Sequence, residues 1–253
     1  MFCCCVADVC LCSDLLCPRH MDYHAEHTMD KSITAVFSIA NAHSFVIPGK
    51  DLLPRDQVDK AFFLDPDGKE IPAVAGADDS FQSKTVLKTP GSYVAVVKKQ
   101  GGFSSKTTDG YKRGKNKKDL KDVIECSYSE KYAKALLTAG TPGGKSFSQV
   151  IGHPIEIVPL QDPAKLKKGD ILTVKILFQG KPARTNVYGT YAGFSEESGT
   201  FAYTTSTDKD GIAKIKLINE GTWLLLIKQE TVYPDATVCD KQSYAASLTF
   251  EVK

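Results

Sequence analysis

No stretch of this 253-residue sequence approaches the roughly 20 consecutive apolar residues that a membrane-spanning helix requires, and its longest apolar runs, such as Trp223 to Ile227, are strand-sized. Charge of one sign is also scarce. A formal net charge of +2 and a pI near 8.0 fall short of the strongly basic face that marks a nucleic-acid protein. Catalytic spellings are missing as well. There is no Gly-x-Ser-x-Gly elbow, no His-Glu-x-x-His helix, no phosphate-cradling glycine loop and no acid pair in a recognisable frame, which argues against an enzyme. What remains is ordinary globular composition, 42% hydrophobic and 25% charged, which excludes disorder and fibrous repeats.

Cysteine is abundant only at the start. Six of the eight (Cys3, Cys4, Cys5, Cys10, Cys12 and Cys17) lie in the first 17 residues, in a segment with no helical or strand period. A thiolate zinc site needs a second cysteine pair at a loop's distance, and none is present, so residues 1–28 read as sequence upstream of a misplaced start. From Met29 the order is that of a signal peptide. Lys31 is the charged region, Ile33 to Ala40 the apolar stretch, and Ala40-Asn41-Ala42 a small-x-small cleavage site before His43. Residues 1–42 are therefore expected to be a leader, and the mature, exported chain to be the 211 residues from His43 to Lys253. The leader holds two basic and five acidic residues, so its loss raises the formal charge to +5. Only Cys126 and Cys239 then remain, and an oxidising compartment predicts a disulfide between them.

The mature chain reads as short β-runs divided by turns. Gln57 to Leu64 alternates and ends at Asp65-Pro66-Asp67-Gly68, where proline presets φ and glycine accepts a positive one. Ile71 to Ala75, Lys84 to Leu87 and Ser92 to Val97 come after it at the spacing of an all-β domain. Between Lys106 and Lys121 stand seven basic residues against two acidic ones, with Gly110 and Gly114 interrupting; this is expected to be a loop, either solvated or docking an anionic partner such as a headgroup or polyanion. In Tyr128 to Thr138, Tyr128, Tyr132, Ala135 and Leu136 fall three or four apart, which predicts one short helix. Gly140-Thr141-Pro142-Gly143-Gly144 closes it and marks a boundary, giving domains at 43–150 and 151–253.

The second half carries seven strand-like runs, from Ile155 to Val158 through Tyr244 to Val252, with Trp223 on a central strand buried on both faces. The fold class is thus mainly β: two β-sandwich domains, the second immunoglobulin-like or transthyretin-like.

Several runs carry a family resemblance: His43-Ser44-Phe45-Val46-Ile47-Pro48, Tyr132 to Leu137, Gly152-His153-Pro154-Ile155-Glu156, Leu177 to Pro182, Thr207 to Gly211, and Gly221-Thr222-Trp223. Over essentially the whole mature chain the sequence resembles proteins described as the periplasmic component of ABC-type cobalt or nickel uptake systems. The resemblance implies a periplasmic accessory that binds divalent nickel or cobalt and hands it to a membrane transporter. One departure is visible. Some relatives place a histidine before Pro-acidic where this chain has Leu64-Asp65-Pro66-Asp67, leaving carboxylates that favour harder cations.

The mature chain offers two histidines, His43 and His153. As a new N-terminus, His43 can chelate through its α-amine and imidazole together, with His153 as a third nitrogen, a set suited to Ni(II) or Cu(II). Glu156 can ligate directly or orient an imidazole. The same pair would serve a copper histidine-brace mono-oxygenase, and a ligand-free adhesive or scaffolding sandwich would use neither.

Overall fold

The structure is a computed structural model; it describes the strand backbone at residues 3–6 and 9–12, and the chain at residues 35–39, 53–77, 79–84 and 87–253. Among the described residues the fold is mainly β, with three 3₁₀ turns and no α-helix. Near the start, β1 (Cys3–Val6) and β2 (Val9–Cys12) pair antiparallel, so the described residues of the cysteine-rich segment read as patternless are strands.

Alternation assigns side chains to the two faces of one large sheet. In β4 (Val58–Leu64), Phe63 joins one core, while Phe62 and Leu64 join the other. The same switch recurs in β7 (Gly91–Thr107), where Tyr93, Ala95 and Val97 face opposite to Val94 and Val96. The turn from β4 to β5 (Glu70–Ala75) is the one expected. Gly68 has φ +86°, and the Asp65 carboxylate accepts the N–H groups of Asp67 and Lys69 at 3.0 and 2.8 Å.

The large sheet continues through β6 (Phe81–Ser83) to an edge at β3 (Val36–Phe37). Phe37 and Ile39 are fully buried, and the Phe37 ring lies 5.2 Å from Phe63 and 5.4 Å from Phe81. Part of the segment read as the apolar stretch of a signal thus packs into the core of the uncut chain. Lys84 to Leu87, expected as a strand, is displaced: the pairing segment is Phe81–Ser83, and residues 85 and 86 lie outside the described residues.

The expected helix at Tyr128 to Thr138 is absent. Those residues lie in β9 (Val123–Ala139), antiparallel to β7 over most of its length. The helical spacing misled because Tyr132 to Leu137 are all buried, and continuous burial on a two-sided central strand erases the period of two. Nor is the basic segment only a loop, since Gly110–Arg113 forms β8 against β7.

In the second half, β13 (Asn186–Tyr191), β14 (Tyr203–Ser206), β16 (Gly221–Val232) and β17 (Lys241–Val252) extend the large sheet. A second sheet of β10 (Ile155–Pro159), β11 (Ile171–Phe178), β12 (Lys181–Pro182) and β15 (Ile212–Lys216) packs on its face through Ile157, Val174, Ile176 and Ile215. Trp223 is fully buried on β16, between β13 and β17, as its neighbours' apolarity predicted. β17 also pairs in parallel with β9, Lys241–Thr249 against Ser127–Ala135. The boundary near residue 150 therefore divides the sequence but not the sheet.

Candidate functional site

The sequence pointed to His43, His153 and Glu156. His43 lies outside the described residues. The other two lie close together, where the loop before β10 crosses β9. Glu156 is 1% exposed, and its carboxylate pairs with the ammonium of Lys134, itself 4% exposed. The same carboxylate accepts the N–H groups of Ile151 at 2.7 Å and Gly152 at 3.1 Å. Gly152 has φ +90°, which a side chain at this position would resist, and this conformation turns its N–H toward Glu156.

Lys134 has matching satisfaction. Besides Glu156 it donates to the carbonyls of Gln149 at 3.1 Å and Ile157 at 3.3 Å, so an ammonium with three donors has three acceptors. Burial pulls its pKa below the ordinary lysine value, with the Glu156 charge opposing that fall. The pair ties the large sheet to the second sheet. Glu156 is thus fully occupied, and its role in this arrangement is to hold the loop that carries His153.

His153 stacks on Tyr132, ring centroids 4.6 Å apart. Burial lowers its pKa to about 4, against the opposing pull of Glu156 and aided by the nearby cations of Lys134, Lys98 and Lys60. The imidazole is therefore neutral at pH 7, with one ring nitrogen bearing a free lone pair. Beneath it the Tyr132 hydroxyl donates to Glu130, whose other oxygen accepts Gln242 Nε2 at 2.9 Å. Burial first, then the Glu130 contact, raises the Tyr132 pKa, so the phenol stays protonated.

Lys134, Glu130 and Gln242 were not picked out as site residues from the sequence, and Tyr132 was read only as part of a helical stripe and of the family resemblance. The signal for the first was present: read as a strand, 132–136 alternates Tyr132, Lys134 and Leu136 onto one buried face, and a lysine there demands a buried anion. The disulfide between Cys126 and Cys239 is formed, with Cα atoms 4.9 Å apart. The sequence reading that no phosphate loop is present passed over Ala139 to Ser146, which matches that pattern except that it opens on alanine where the pattern has glycine. The helix such a loop needs is replaced by a three-residue 3₁₀ turn, Ser146–Ser148, and the Ser146 hydroxyl donates to the Ser92 carbonyl at 2.5 Å, so the segment acts as a corner. Among the described residues, no three His, Cys, Asp or Glu side chains are grouped as metal ligands.

No curated protein matches the chain. Among solved structures, the D0-D1 domain of Intimin is similar at 15% identity and a TM-score of 0.22, covering 88% of this chain and 93% of that one. A family model described as Domain of unknown function (DUF4198) matches residues 22–231. With more than half of its length matched, the chain belongs to that family.

Proposed function

We propose that this protein is an exported, non-enzymatic carrier that binds a divalent transition metal, nickel or cobalt, as cargo and delivers it to a membrane transporter. The single supporting observation is His153: a half-buried imidazole, uncharged well below neutral pH, held by a loop that Glu156 fixes and by a ring stack on Tyr132. A neutral, pre-positioned nitrogen is what such a cation asks for. His43, with its α-amine freed by cleavage after Ala42, supplies the other two nitrogens in this reading. Glu156 is assigned the orienting role, because its oxygens already serve one ammonium and two amides. The Cys126–Cys239 disulfide is compatible with export. The transporter rests on the family resemblance alone.

Calorimetric titration of nickel into a chain beginning at His43 is the test. Binding that weakens tenfold or more when one residue is added before His43, and again in His153→Phe, is the expected result. Equal binding by all three sinks the metal reading, and absence of binding leaves the ligand-free scaffold.

A further inference from the structure

Beyond the core, β7, β8, β9, β16 and β17 run on into a shared distal end, and that end collects features that the metal reading does not use. Tyr111, Ile124 and Val232 are the three most exposed large hydrophobic side chains among the described residues, at 72, 61 and 80%. All three lie here. Registers set Arg113, Ser104, Ser127, Lys241 and Val232 in one row across five strands, with Tyr111, Lys106 and Glu125 as the next row on the same face. Ile124 adjoins Glu125 where the β7–β9 register shifts.

The charge is equally sorted. Lys117 and Lys118 are paired with Asp240 and Asp235, and Lys241 with Glu125 and Glu230. Lys106, Lys112, Arg113, Lys115 and Lys121 are exposed and form no ion pair among the described residues, whereas Asp109, Asp119 and Asp122 are the acids interspersed with them. The surface is fixed rather than loose. The disulfide joins β9 to the segment before β17, and the Lys117 N–H donates to the Val238 carbonyl at 3.0 Å. Phe103, Tyr128 and Tyr233 pack together beneath, with Tyr128 lying over Gly101 so closely that a Cβ there would collide with its hydroxyl.

We infer that this distal end is a docking surface for an anionic lipid bilayer: Lys106 and Arg113 meet headgroup phosphates on the face where Tyr111 and Val232 enter the interfacial layer, while Lys112, on the other face of β8, and Lys115 add to the attraction. Unpaired cations supply the charge complementarity, and an exposed tyrosine beside a protruding aliphatic side chain suits the boundary between headgroup and acyl chain. A soluble polyanion would engage the cations and leave Tyr111, Ile124 and Val232 with nothing to contact. The inference is independent of metal binding.

Co-sedimentation of the oxidised full chain with vesicles tests it. Phosphatidylcholine vesicles containing one-third phosphatidylglycerol bind the protein, pure phosphatidylcholine vesicles do not, and 0.5 M salt releases it. Lys106→Gln/Lys112→Gln/Arg113→Gln weakens binding by about a hundredfold, at roughly one kilocalorie per cation. Tyr111→Ala, with every charge kept, weakens it about threefold or more. In Tyr111→Trp the emission of the new indole shifts to the blue on adding the anionic vesicles, over a constant contribution from Trp223, which is already buried. These variants alter exposed side chains, and circular dichroism checks that they fold. Equal binding to both vesicle types, no binding to either, or a soluble polyanion competing fully while Tyr111→Ala and Tyr111→Trp show no effect overturns the proposal. A chelator leaves vesicle binding unchanged, so failure of nickel binding and failure of docking are read separately.

Discussion

At the scale of single residues, the Lys134–Glu156 pair carries the largest consequence. Both groups are nearly inaccessible, so removing one strands the other as an uncompensated buried charge. Lys134→Met is expected to cost about 3 to 5 kcal/mol in urea unfolding. Adding Glu156→Gln should recover about 1 kcal/mol, because the stranded charge is gone, although the single amide oxygen can accept only one of the Ile151 and Gly152 N–H groups that now bond to separate carboxylate oxygens. A double variant weaker than Lys134→Met would contradict this account. His153 gives a second expectation. Its folded pKa of about 4 lies below the ordinary 6.5, so between those values the unfolded chain binds the extra proton. Stability is therefore fully present above about pH 6.5 and falls as pH drops toward 4, by at most about 3 kcal/mol for this group. His153→Phe, which retains a ring against Tyr132, should flatten that part of the urea-midpoint profile between pH 4 and 6.5, and an unchanged slope would assign the dependence elsewhere.

Elements show where pattern reading works and where it stops. Val58–Leu64, Ile171–Phe178 and Gly221–Val232 were legible because each combines apolar alternation or a short apolar run with a turn at its end. β9 was not: six successive buried residues look the same at a period of two or of 3.6, and its parallel partner β17 lies far away in sequence. The disulfide was legible from counting alone, whereas Lys134 opposite Glu156 needed the strand register first. Two elements invite measurement. The disulfide closes a span of 113 residues, so Cys126→Ala/Cys239→Ala should lower stability by about 2 to 5 kcal/mol and loosen the basic segment to proteolysis between Lys112 and Lys121. The short β3 makes a sharper distinction. Phe37 sits against Phe63 and Phe81, so Phe37→Ala in the uncut chain should cost about 3 to 5 kcal/mol. Cleavage after Ala42 removes Phe37 altogether, and the processed chain should then bind a hydrophobic dye at the vacated edge of β6. If the uncut and processed chains bound the dye equally, β3 would contribute nothing to covering that edge.

For the whole molecule, the parallel pairing of β17 with β9 decides how many units unfold. Two sandwiches divided near residue 150 would each keep a private core and melt separately, as independent domains do. Here the sheet crosses that boundary. One core joins Phe62, Val94 and Tyr132 from the first half to Ile157, Trp223 and Leu248 from the second, and the Lys134–Glu156 pair bridges the same divide. Losing either half would expose an edge of β9 or β17 and strand one member of a buried ion pair. Calorimetry of the oxidised protein should therefore give one transition, with calorimetric and van't Hoff enthalpies equal within error, and residues 43–150 alone should lack a cooperative melt. Two resolved transitions, or a folded fragment 43–150, would mean that β17 merely abuts β9 and that the two halves move as separate bodies.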